Sequence, residues 1–334
     1  MGAYIARRLV WTLFVIVGIT LFTFTISHLI PADPARLAAG IDATEDQVAI
    51  MREMMGLNRP IPEQYGRYIV GLLRGDLGTS IRNRRPVAQD IRTFFPATLE
   101  LTALTMLVYV LVGVPLGVLA ALRRGRPADF LLRFGAVAGD GMPSFWLALV
   151  LQLLFFRELG WLPSGGRLDP IMDIPPRVTG LLTLDSLISG QWPAFWDALH
   201  HMILPIIALV LGRLAVAVRI TRRSFLTVLG QDYIRTAQAK GLEFRSVIWR
   251  HAMKNALIPI VTILSLQVGW LLSGTVLIEI IFSWPGLGRY ALESIAFLDF
   301  PAIMGVTLVV SLIFVLINLA VDVLYTFLDP RIQY

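Results

Sequence analysis

The sequence is dominated by long apolar runs that contain almost no charged residues. Six of them approach the length of a membrane-spanning helix: 9–30, 97–122, 131–156, 202–218, 256–282 and 302–328. About 20 helical residues cross the hydrocarbon core of a bilayer, and a helix satisfies its backbone hydrogen bonds internally. With 56% hydrophobic and 16% charged residues, the 334-residue chain is too apolar for a soluble domain of its size. The sequence therefore predicts an all-α membrane protein with six transmembrane helices.

A weaker apolar stretch covers 178–199. It contains Asp185, Gly190, Pro193 and Asp197. Charged residues are expensive inside a bilayer, and proline and glycine disfavour a continuous helix. We therefore expect short helices that lie at the membrane surface here, rather than a seventh span.

The distribution of basic residues predicts the orientation of the spans. Lysine and arginine are concentrated in 123–133, 219–223 and 235–254, whereas the loops 157–201 and 283–301 contain more acidic than basic residues. Short cytoplasmic loops carry an excess of lysine and arginine, so both termini are predicted to be cytoplasmic. The net charge of +6 follows from this topology and does not indicate a nucleic-acid partner.

The spans divide the chain into three predicted parts. Residues 1–30 form an N-terminal arm and the first span, 31–96 form an extracytoplasmic loop, and 97–334 form the core with the other spans. A loop as long as 31–96 in a compact protein is usually functional, and we expect it to form a lid over the outer mouth. Its sequence GDLGTS, at 75–80, predicts a tight turn.

A polar segment, 231–255, interrupts the apolar sequence on the predicted cytoplasmic side. Apolar residues recur in and after its second half at helical spacing, and they are Phe244, Val247, Ile248, Ala252 and Leu257. Gly241 is a natural hinge between two helices, because glycine tolerates the left-handed conformation that ends a helix. Such an amphipathic helix pair can lie on anionic headgroups or dock onto a soluble protein, and the pattern alone leaves both open.

Several motifs in this chain resemble one protein family. The sequence YIRTAQAKGL, followed by RHAMKNALIPIVT, resembles the cytoplasmic coupling loop, or EAA loop, of ATP-binding-cassette importer permeases of the dipeptide and oligopeptide branch. ARRL, LRGDLGTSI, HMILPIIAL, RITRRSF, IFSWPGLGRY and NLAVDVLYTFLDPRIQY agree with it in order, so the resemblance covers essentially the whole chain. The nominal Glu-Ala-Ala is Arg235, Thr236 and Ala237 here, and Pro259 lies further from Gly241 than in sugar importers. Both departures are similar to the peptide branch.

This resemblance implies an ABC type I importer permease subunit in the bacterial cytoplasmic (inner) membrane, transporting peptides or related small solutes. The implied partners are a second homologous permease subunit, two cytoplasmic ATP-binding subunits and an extracytoplasmic substrate-binding protein. Oligosaccharides, opines, glutathione and nickel chelates remain alternative solutes of this branch. The resemblance assigns ATPase coupling to Asp232, Arg235, Thr236, Ala237, Gly241 and Pro259.

The sequence contains no G-x-x-x-x-G-K-[ST] loop of the kind that holds ATP phosphates. We therefore expect no cofactor in this chain and no enzymatic activity of its own, with ATP and Mg²⁺ bound by the partner ATPase subunits. The rival interpretation is a stand-alone channel or secondary transporter, in which segment 231–255 would have no partner. No H-E-x-x-H sequence supports a zinc protease, and an intramembrane aspartyl protease would require Asp140 and Asp322 to meet.

Among the ionisable residues inside the predicted spans, two stand out. Asp140 lies in the sequence GDGMPSFW, where Gly139, Gly141 and Pro143 are expected to kink the helix, and Arg213 lies near the middle of the fourth run. Such residues cost about 2.5–3.5 kcal/mol on insertion scales and are functional candidates by default. They either pair or extend toward opposite membrane surfaces as plain structure, or they line the translocation path, where their charges suit the two ends of a zwitterionic solute.

Ser144 and Gln267 are further candidates for the translocation path. Ser144 follows Asp140 within GDGMPSFW, and Gln267 lies in the fifth run. Polar side chains in a span are expected to face the protein interior or a water-filled cavity. Core packing explains Gln267 equally well.

Overall fold

The structure is a computed structural model that describes residues 2–29, 33–40 and 42–328. Residue 30 of the first predicted run, residues 31, 32 and 41 of the predicted lid, and the C-terminal residues 329–334 lie outside the described residues. Within the described ranges the regular structure is helical, and an isolated antiparallel bridge joins Thr79 and Pro86. The predicted all-α class is confirmed for this part of the chain.

The helices follow one another along the chain with short connections in most places. They are α1 (Gly2–Leu29), α2 (Pro34–Ala39), α3 (Glu45–Met54), α4 (Ile61–Leu73), α5 (Val87–Leu122), α6 (Pro127–Asp140), α7 (Ser144–Leu151), α8 (Leu182–Ile188), α9 (Trp192–Leu211), α10 (Leu214–Leu229), α11 (Asp232–Ala239), α12 (Phe244–Ser246), α13 (Met253–Ile281), α14 (Leu287–Ala296) and α15 (Phe300–Leu328). Wide π-type turns follow α7 at Gln152–Glu158 and precede α13 at Val247–Ala252.

Five helical stretches in the described part of the chain are long and apolar enough to cross a membrane. They are Val10–Leu29, Val87–Leu122, Trp192–Leu211, Phe244–Leu272 and Phe300–Ala320. The bent pair of α6 and α7 gives a sixth span if its two helices are counted together. The predicted orientation of the termini stays a prediction.

The third predicted run, 131–156, is wrong as a single helix. Helix α6 ends at Asp140, α7 begins at Ser144, and the two are bent by 97°. Pro143 has no N–H to donate and disfavours the helical conformation of the residue before it. The sequence therefore places the kink correctly, but the chain ends one helix there and starts another.

The fourth predicted run, 202–218, has the wrong bounds. Helix α9 starts earlier and ends before Gly212 and Arg213, and the last residues of the run belong to α10. The weak stretch 178–199 contains one short helix as expected, α8, but its last residues are the first two turns of the spanning helix α9. Proline in the first turn of α9 is tolerated because the N–H groups there have no helical partner.

The other predicted runs correspond to single helices with shifted ends. Helix α5 begins at Val87 rather than at residue 97, so the end of the predicted lid, 31–96, forms its first turns. The runs 256–282 and 302–328 match α13 and α15 within a few residues, and 9–30 falls in α1 where described, although α1 already begins at Gly2. Helix ends are where sequence patterns are least informative.

The chain packs as two compact units. The first contains the described residues of 1–96 and 285–316, and the second those of 97–284 and 317–333. In the first unit, Gly75 and Gly78 have positive φ angles of 78° and 85°, and the Gly78 N–H donates to Asp76 at 2.8 Å. The predicted tight turn at 75–80 is thus confirmed. The role of 31–96 as a lid stays a prediction.

In the second unit, glycines let α5 and α10 approach closely. A Cβ added to Gly113 would lie 2.6 Å from the Cβ of Ala217, and one added to Gly117 would lie 2.5 Å from the Cβ of Thr221. Small residues four positions apart on both helices allow this contact, as is common between membrane helices. The G-x-x-x-G spacing in VGVPLGV is the sequence signal for this seam.

Candidate functional site

The two helix breaks lie side by side in the second unit. A Cβ added to Gly139 on α6 would lie 2.9 Å from the carbonyl oxygen of Leu211, the last residue of α9. One added to Gly212 would lie 3.4 Å from the Cβ of Ser144. Glycine at these positions therefore allows the end of α9 to pack against both α6 and α7.

A cavity of about 510 Å³ opens where the breaks meet. It is lined by Asp140, Gly141, Met142, Pro143, Ser144, Phe145, Leu209, Gly212, Arg213, Trp270, Leu271 and Gly274. Three of the predicted path residues, Asp140, Ser144 and Arg213, are therefore brought together by the fold. Gln267 is not in this lining: it is 7% exposed, and its side-chain oxygen is buried and finds no hydrogen-bond partner among the described residues.

The charges of Asp140 and Arg213 do not neutralise each other in this structure. The guanidinium of Arg219 lies 3.8 Å from the Asp140 carboxylate, whose side chain is 30% exposed. The guanidinium of Arg213 instead lies over the Trp270 ring, 4.7 Å from its centroid. A cation stacked on an aromatic face keeps its hydrogen-bond donors free. The structural-pair alternative is therefore not the arrangement found here.

The backbone at the second break is held by a tyrosine. The buried Tyr109 on α5 donates its hydroxyl hydrogen to the carbonyl oxygen of Arg213 at 3.1 Å. The Arg213 carbonyl, at the start of α10, also accepts from the Val216 N–H at 3.0 Å, and irregular backbone at membrane depth is tolerated where protein surrounds it or a cavity adjoins it. Tyr109 and Trp270 are not among the residues that the sequence analysis singles out. A tyrosine within an apolar run is the available signal, because a buried tyrosine usually finds a partner.

Helix α11 carries the first half of the predicted coupling segment. Ile234 and Ala237 are buried, 1% and 6% exposed, whereas Asp232, Arg235 and Thr236 are exposed. Ala237 therefore packs inward, and the other three can meet another protein. Their role in coupling stays a prediction.

The hinge expected in this segment is present. Gly241 has a φ of +75°, and no atom of the described residues lies within 4 Å of the place where a Cβ would be. Val247, Ile248 and Ala252 are buried as expected, but Phe244 is 57% exposed and so does not belong to the buried face. The helix after the hinge continues through the π-type turn into α13, which contains Pro259 in its interior and Trp270 at the cavity.

An apolar patch covers the outside of the coupling segment. Its members are Tyr233, Leu242, Phe244 and Trp249, which are 40%, 42%, 57% and 61% exposed. A hydrogen bond of 2.9 Å from Asn255 to the Tyr233 hydroxyl links α11 to α13. Several exposed apolar side chains beside polar and basic ones on one short segment are typical of a protein interface.

Two buried carboxylates fix the chain between α7 and α9. Glu100 accepts hydrogen bonds from the Arg167 guanidinium and from the N–H and hydroxyl of Thr183, the latter two at 2.6 Å. Asp185 accepts from the N–H and hydroxyl of Thr179, both at 2.7 Å, and from the Gly180 N–H at 2.9 Å. Burial raises the pKa of Asp185, but these hydrogen bonds outweigh burial and hold the pKa below its ordinary value.

The amino-acid sequence matches two family models. Residues 113–334 match the binding-protein-dependent transport system inner membrane component, and residues 1–102 match the N-terminal model of the same transport systems. The dipeptide transport system permease protein DppB of Alkalihalophilus pseudofirmus is 47% identical, with 100% of both chains covered. The probable D,D-dipeptide transport system permease protein DdpB of Escherichia coli is 48% identical, with 98% of this chain and 97% of that protein covered. The glutathione transport system permease protein GsiC of Salmonella paratyphi A is 39% identical, with 99% of each covered.

A solved structure shares the fold. A chain of the MetNI methionine ABC transporter, in an inward-facing conformation, superposes with a TM-score of 0.51 at 16% identity, covering 70% of this chain and 93% of that chain. Matches over nearly the whole sequence, together with apolar helices of spanning length, establish the family. The chain belongs to the binding-protein-dependent transport system inner membrane components, the permease subunits of ABC importers.

Proposed function

We propose that this chain is one permease subunit of a bacterial ATP-driven importer of peptides. It forms half of the translocation path with a second homologous permease in the cytoplasmic membrane, with both termini inside. Two cytoplasmic subunits bind ATP and Mg²⁺, and an extracytoplasmic binding protein delivers the solute. The observation that carries the substrate class is the cavity at the helix breaks, which holds a carboxylate and a guanidinium that are not paired with each other.

These two charges match the ends of a peptide. The Asp140 carboxylate accepts hydrogen bonds from an ammonium group, and the Arg213 guanidinium can hold a carboxylate through two parallel bonds. The remaining lining, including Met142, Phe145 and Trp270, is largely apolar and accommodates side chains of differing size. Relatives named for dipeptides and for glutathione support a solute that has both a free amino group and a free carboxylate.

The test is uptake by the assembled transporter. The chain is purified with its copurifying subunits, reconstituted in proteoliposomes with ATP, and supplied with binding protein and a radiolabelled dipeptide. Loss of one charge-assisted hydrogen bond should lower uptake per ATP hydrolysed about tenfold to hundredfold in Asp140→Asn or Arg213→Met, with stimulation of the ATPase retained. The control is Arg157→Met, which removes an arginine whose side chain is 76% exposed and should change neither quantity.

Wild-type uptake in the Asp140→Asn/Arg213→Met double variant would contradict the assignment of these residues to the path. Uptake that continues without ATP and without partner subunits would favour the channel or secondary-transporter alternative. Efficient uptake of oligosaccharides, opines or nickel chelates, with none of peptides, would move the chain to another solute of its branch.

We further propose that segment 231–255 docks on the ATPase through the apolar patch of Tyr233, Leu242, Phe244 and Trp249 and the exposed residues of α11. A β-branched side chain at the positive φ of Gly241 is strained by about 1–3 kcal/mol, whereas asparagine tolerates this conformation. Gly241→Val should therefore lower ATPase copurification and transport severalfold, and the matched variant Gly241→Asn should retain both. Equal behaviour of the two variants would contradict this role of the turn.

The lid proposal is that 31–96 contacts the binding protein. Its helices α3 and α4 expose Met54 and Leu73, which are 76% and 84% exposed. Deleting residues 75–80 would also remove Ser80, which donates to the buried Asp299, so point variants are cleaner. Met54→Ser/Leu73→Ser should reduce stimulation of the ATPase by loaded binding protein severalfold while leaving the basal rate unchanged, and full stimulation would overturn the proposal.

A further inference from the structure

A groove between α6 and α10 is separate from the cavity at the helix breaks. Its volume is about 880 Å³. Its wall includes Phe130, Phe134, Val137 and Leu226, and its rim carries Arg124, Arg133, Arg219, Arg222 and Arg223. A surface that is apolar along its length and strongly cationic at its rim has the two chemical parts of a phospholipid site.

The positive charge of the rim is only partly balanced. The buried Asp129 accepts two hydrogen bonds of 2.8 Å from Arg222 and lies 3.7 Å from Arg133, so one carboxylate serves two arginines. Arg219 reaches Asp140 at 3.8 Å. Among the residues that the structure describes, Arg124 and Arg223 have no carboxylate within 4 Å. The rim of the groove therefore carries an excess of positive charge. The Asp129–Arg222 hydrogen bonds join α6 to α10 below it.

The wall of the groove is exposed in this chain. Phe130, Phe134 and Val137 are 59%, 63% and 56% exposed, and the two phenylalanine rings stack with centroids 6.0 Å apart. Helix α6 rises about 1.5 Å per residue, so its 14 residues provide a wall about 20 Å long. An acyl chain can follow such a wall while its headgroup stays beside Arg124 and Arg223.

We propose that this groove binds an anionic phospholipid, with its phosphate at Arg124 and Arg223 and an acyl chain along Phe130 and Phe134. The negative headgroup balances positive charge that the described residues leave without a carboxylate partner, which a zwitterionic lipid does less well. A second copy of this chain would bring the same arginines to the groove, and juxtaposed like charges oppose that contact.

The test is photocrosslinking of the full-length chain in nanodiscs of phosphatidylcholine that contain a trace of photoactivatable phosphatidylglycerol. Each arginine removed from the rim is expected to weaken binding about fivefold, and Arg124→Gln/Arg223→Gln about 25-fold. The matched control is Arg123→Gln/Arg126→Gln, which removes the same charge from neighbouring exposed arginines outside the groove. Equal labelling of the two double variants would overturn the proposal.

Competition separates the lipid from other occupants. Unlabelled phosphatidylglycerol should displace the probe, and phosphatidylcholine and inorganic phosphate at the same concentration should not. Displacement by inorganic phosphate would show an anion site without a lipid and would overturn the proposal. Labelled peptides should map to α6 or α10, and labelling that maps elsewhere, or protection by self-association of the chain, would also overturn it.

Discussion

The second unit contains two sets of charged residues that differ in how completely their hydrogen bonds are made. Glu100 and Asp185 are buried, and each accepts three hydrogen bonds from nearby protein groups. Asp140 and Arg213 line a cavity. Asp140 has only a distant contact with Arg219, at 3.8 Å, and Arg213 lies over the Trp270 ring, so both keep hydrogen-bonding capacity for a solute. A buried carboxylate that accepts several hydrogen bonds from the protein holds the fold together, whereas a charged group that faces a cavity is available to a solute.

A second contrast concerns the glycines of the same unit. Gly113 and Gly117 allow a tight seam in which a larger residue has no space, and Gly139 and Gly212 bring the helix breaks together beside a cavity. Helix α10 therefore packs closely along part of α5 and borders a break at its start. The seam fixes the position of the helix, while the break supplies the polar surface.

The largest loss of stability is expected when one of the buried, hydrogen-bonded carboxylates is removed from its partner. Glu100→Gln removes the carboxylate that Arg167 pairs with, at a guanidinium whose side chain is only 17% exposed, and breaking a buried pair in this way lowers the free energy of unfolding by about 3–5 kcal/mol. Denaturant unfolding in detergent micelles measures the change. The control Glu158→Gln, at a side chain that is 64% exposed, should stay within about 0.5 kcal/mol. Equal stability of the two variants would contradict the conclusion that the buried carboxylates, unlike the cavity charges, hold the fold together.

The next largest loss of stability is expected at the close contact between α5 and α10. Gly117→Val places a side chain 2.5 Å from the Thr221 Cβ and 2.9 Å from the Val218 carbonyl oxygen, and the backbone oxygen cannot move aside cheaply. Overpacking of this kind costs about 1–3 kcal/mol. Gly135→Val on α6 serves as the matched control, because no atom of the described residues lies within 4 Å of a Cβ added there. Thermal unfolding in micelles, with membrane abundance as a second readout, should show a lower melting temperature for Gly117→Val than for Gly135→Val. Similar melting temperatures would mean that α5 and α10 can move apart at little cost.

The Asp185→Asn substitution is expected to lower stability by a smaller amount that depends on pH. At neutral pH, Asp185→Asn should lower the free energy of unfolding by about 1–3 kcal/mol, because hydrogen bonds to a charged acceptor are lost. The folded-state pKa of Asp185 is lowered, so its contribution is fully present above the unfolded value of about 4 and is lost as the pH falls through the folded value. The gap between wild type and variant should therefore narrow from pH 6 to pH 2.5. A gap that is constant over this range would contradict an ionic role for the carboxylate.

The smallest change in stability is expected at the cavity. Asp140→Asn and Arg213→Met remove charges that have no close ion pair with each other, so each should change the free energy of unfolding by less than about 1 kcal/mol while reducing uptake. The same denaturant experiment as for Glu100 measures this. A loss comparable to that of Glu100→Gln would show that these charges are structural, and the comparison between the two sets would fail.

Much of the fold follows from the sequence because lipid imposes a simple rule. Long uncharged runs must form helices to satisfy their backbone, and this predicts the spanning helices of 9–30, 97–122, 256–282 and 302–328 with only their ends displaced. The hinge at Gly241 and the turn at 75–80 also follow locally, because a positive φ favours glycine. The bounds of the third and fourth runs do not follow, since apolar composition continues across a break that proline, glycine and neighbouring helices produce together.

The sequence by itself determined that the chain is an apolar, helical protein, that a polar segment with a glycine turn interrupts it, and that Asp140 and Arg213 are unusual. Only the tertiary structure decided that their helix breaks meet, that Trp270 and Tyr109 complete the site, and that Ala237 faces inward while Phe244 faces outward. The physical reason is that these interactions act over different distances along the chain. Backbone hydrogen bonding and glycine conformation act within a few residues, whereas the pairing of a charge depends on which distant helix packs beside it.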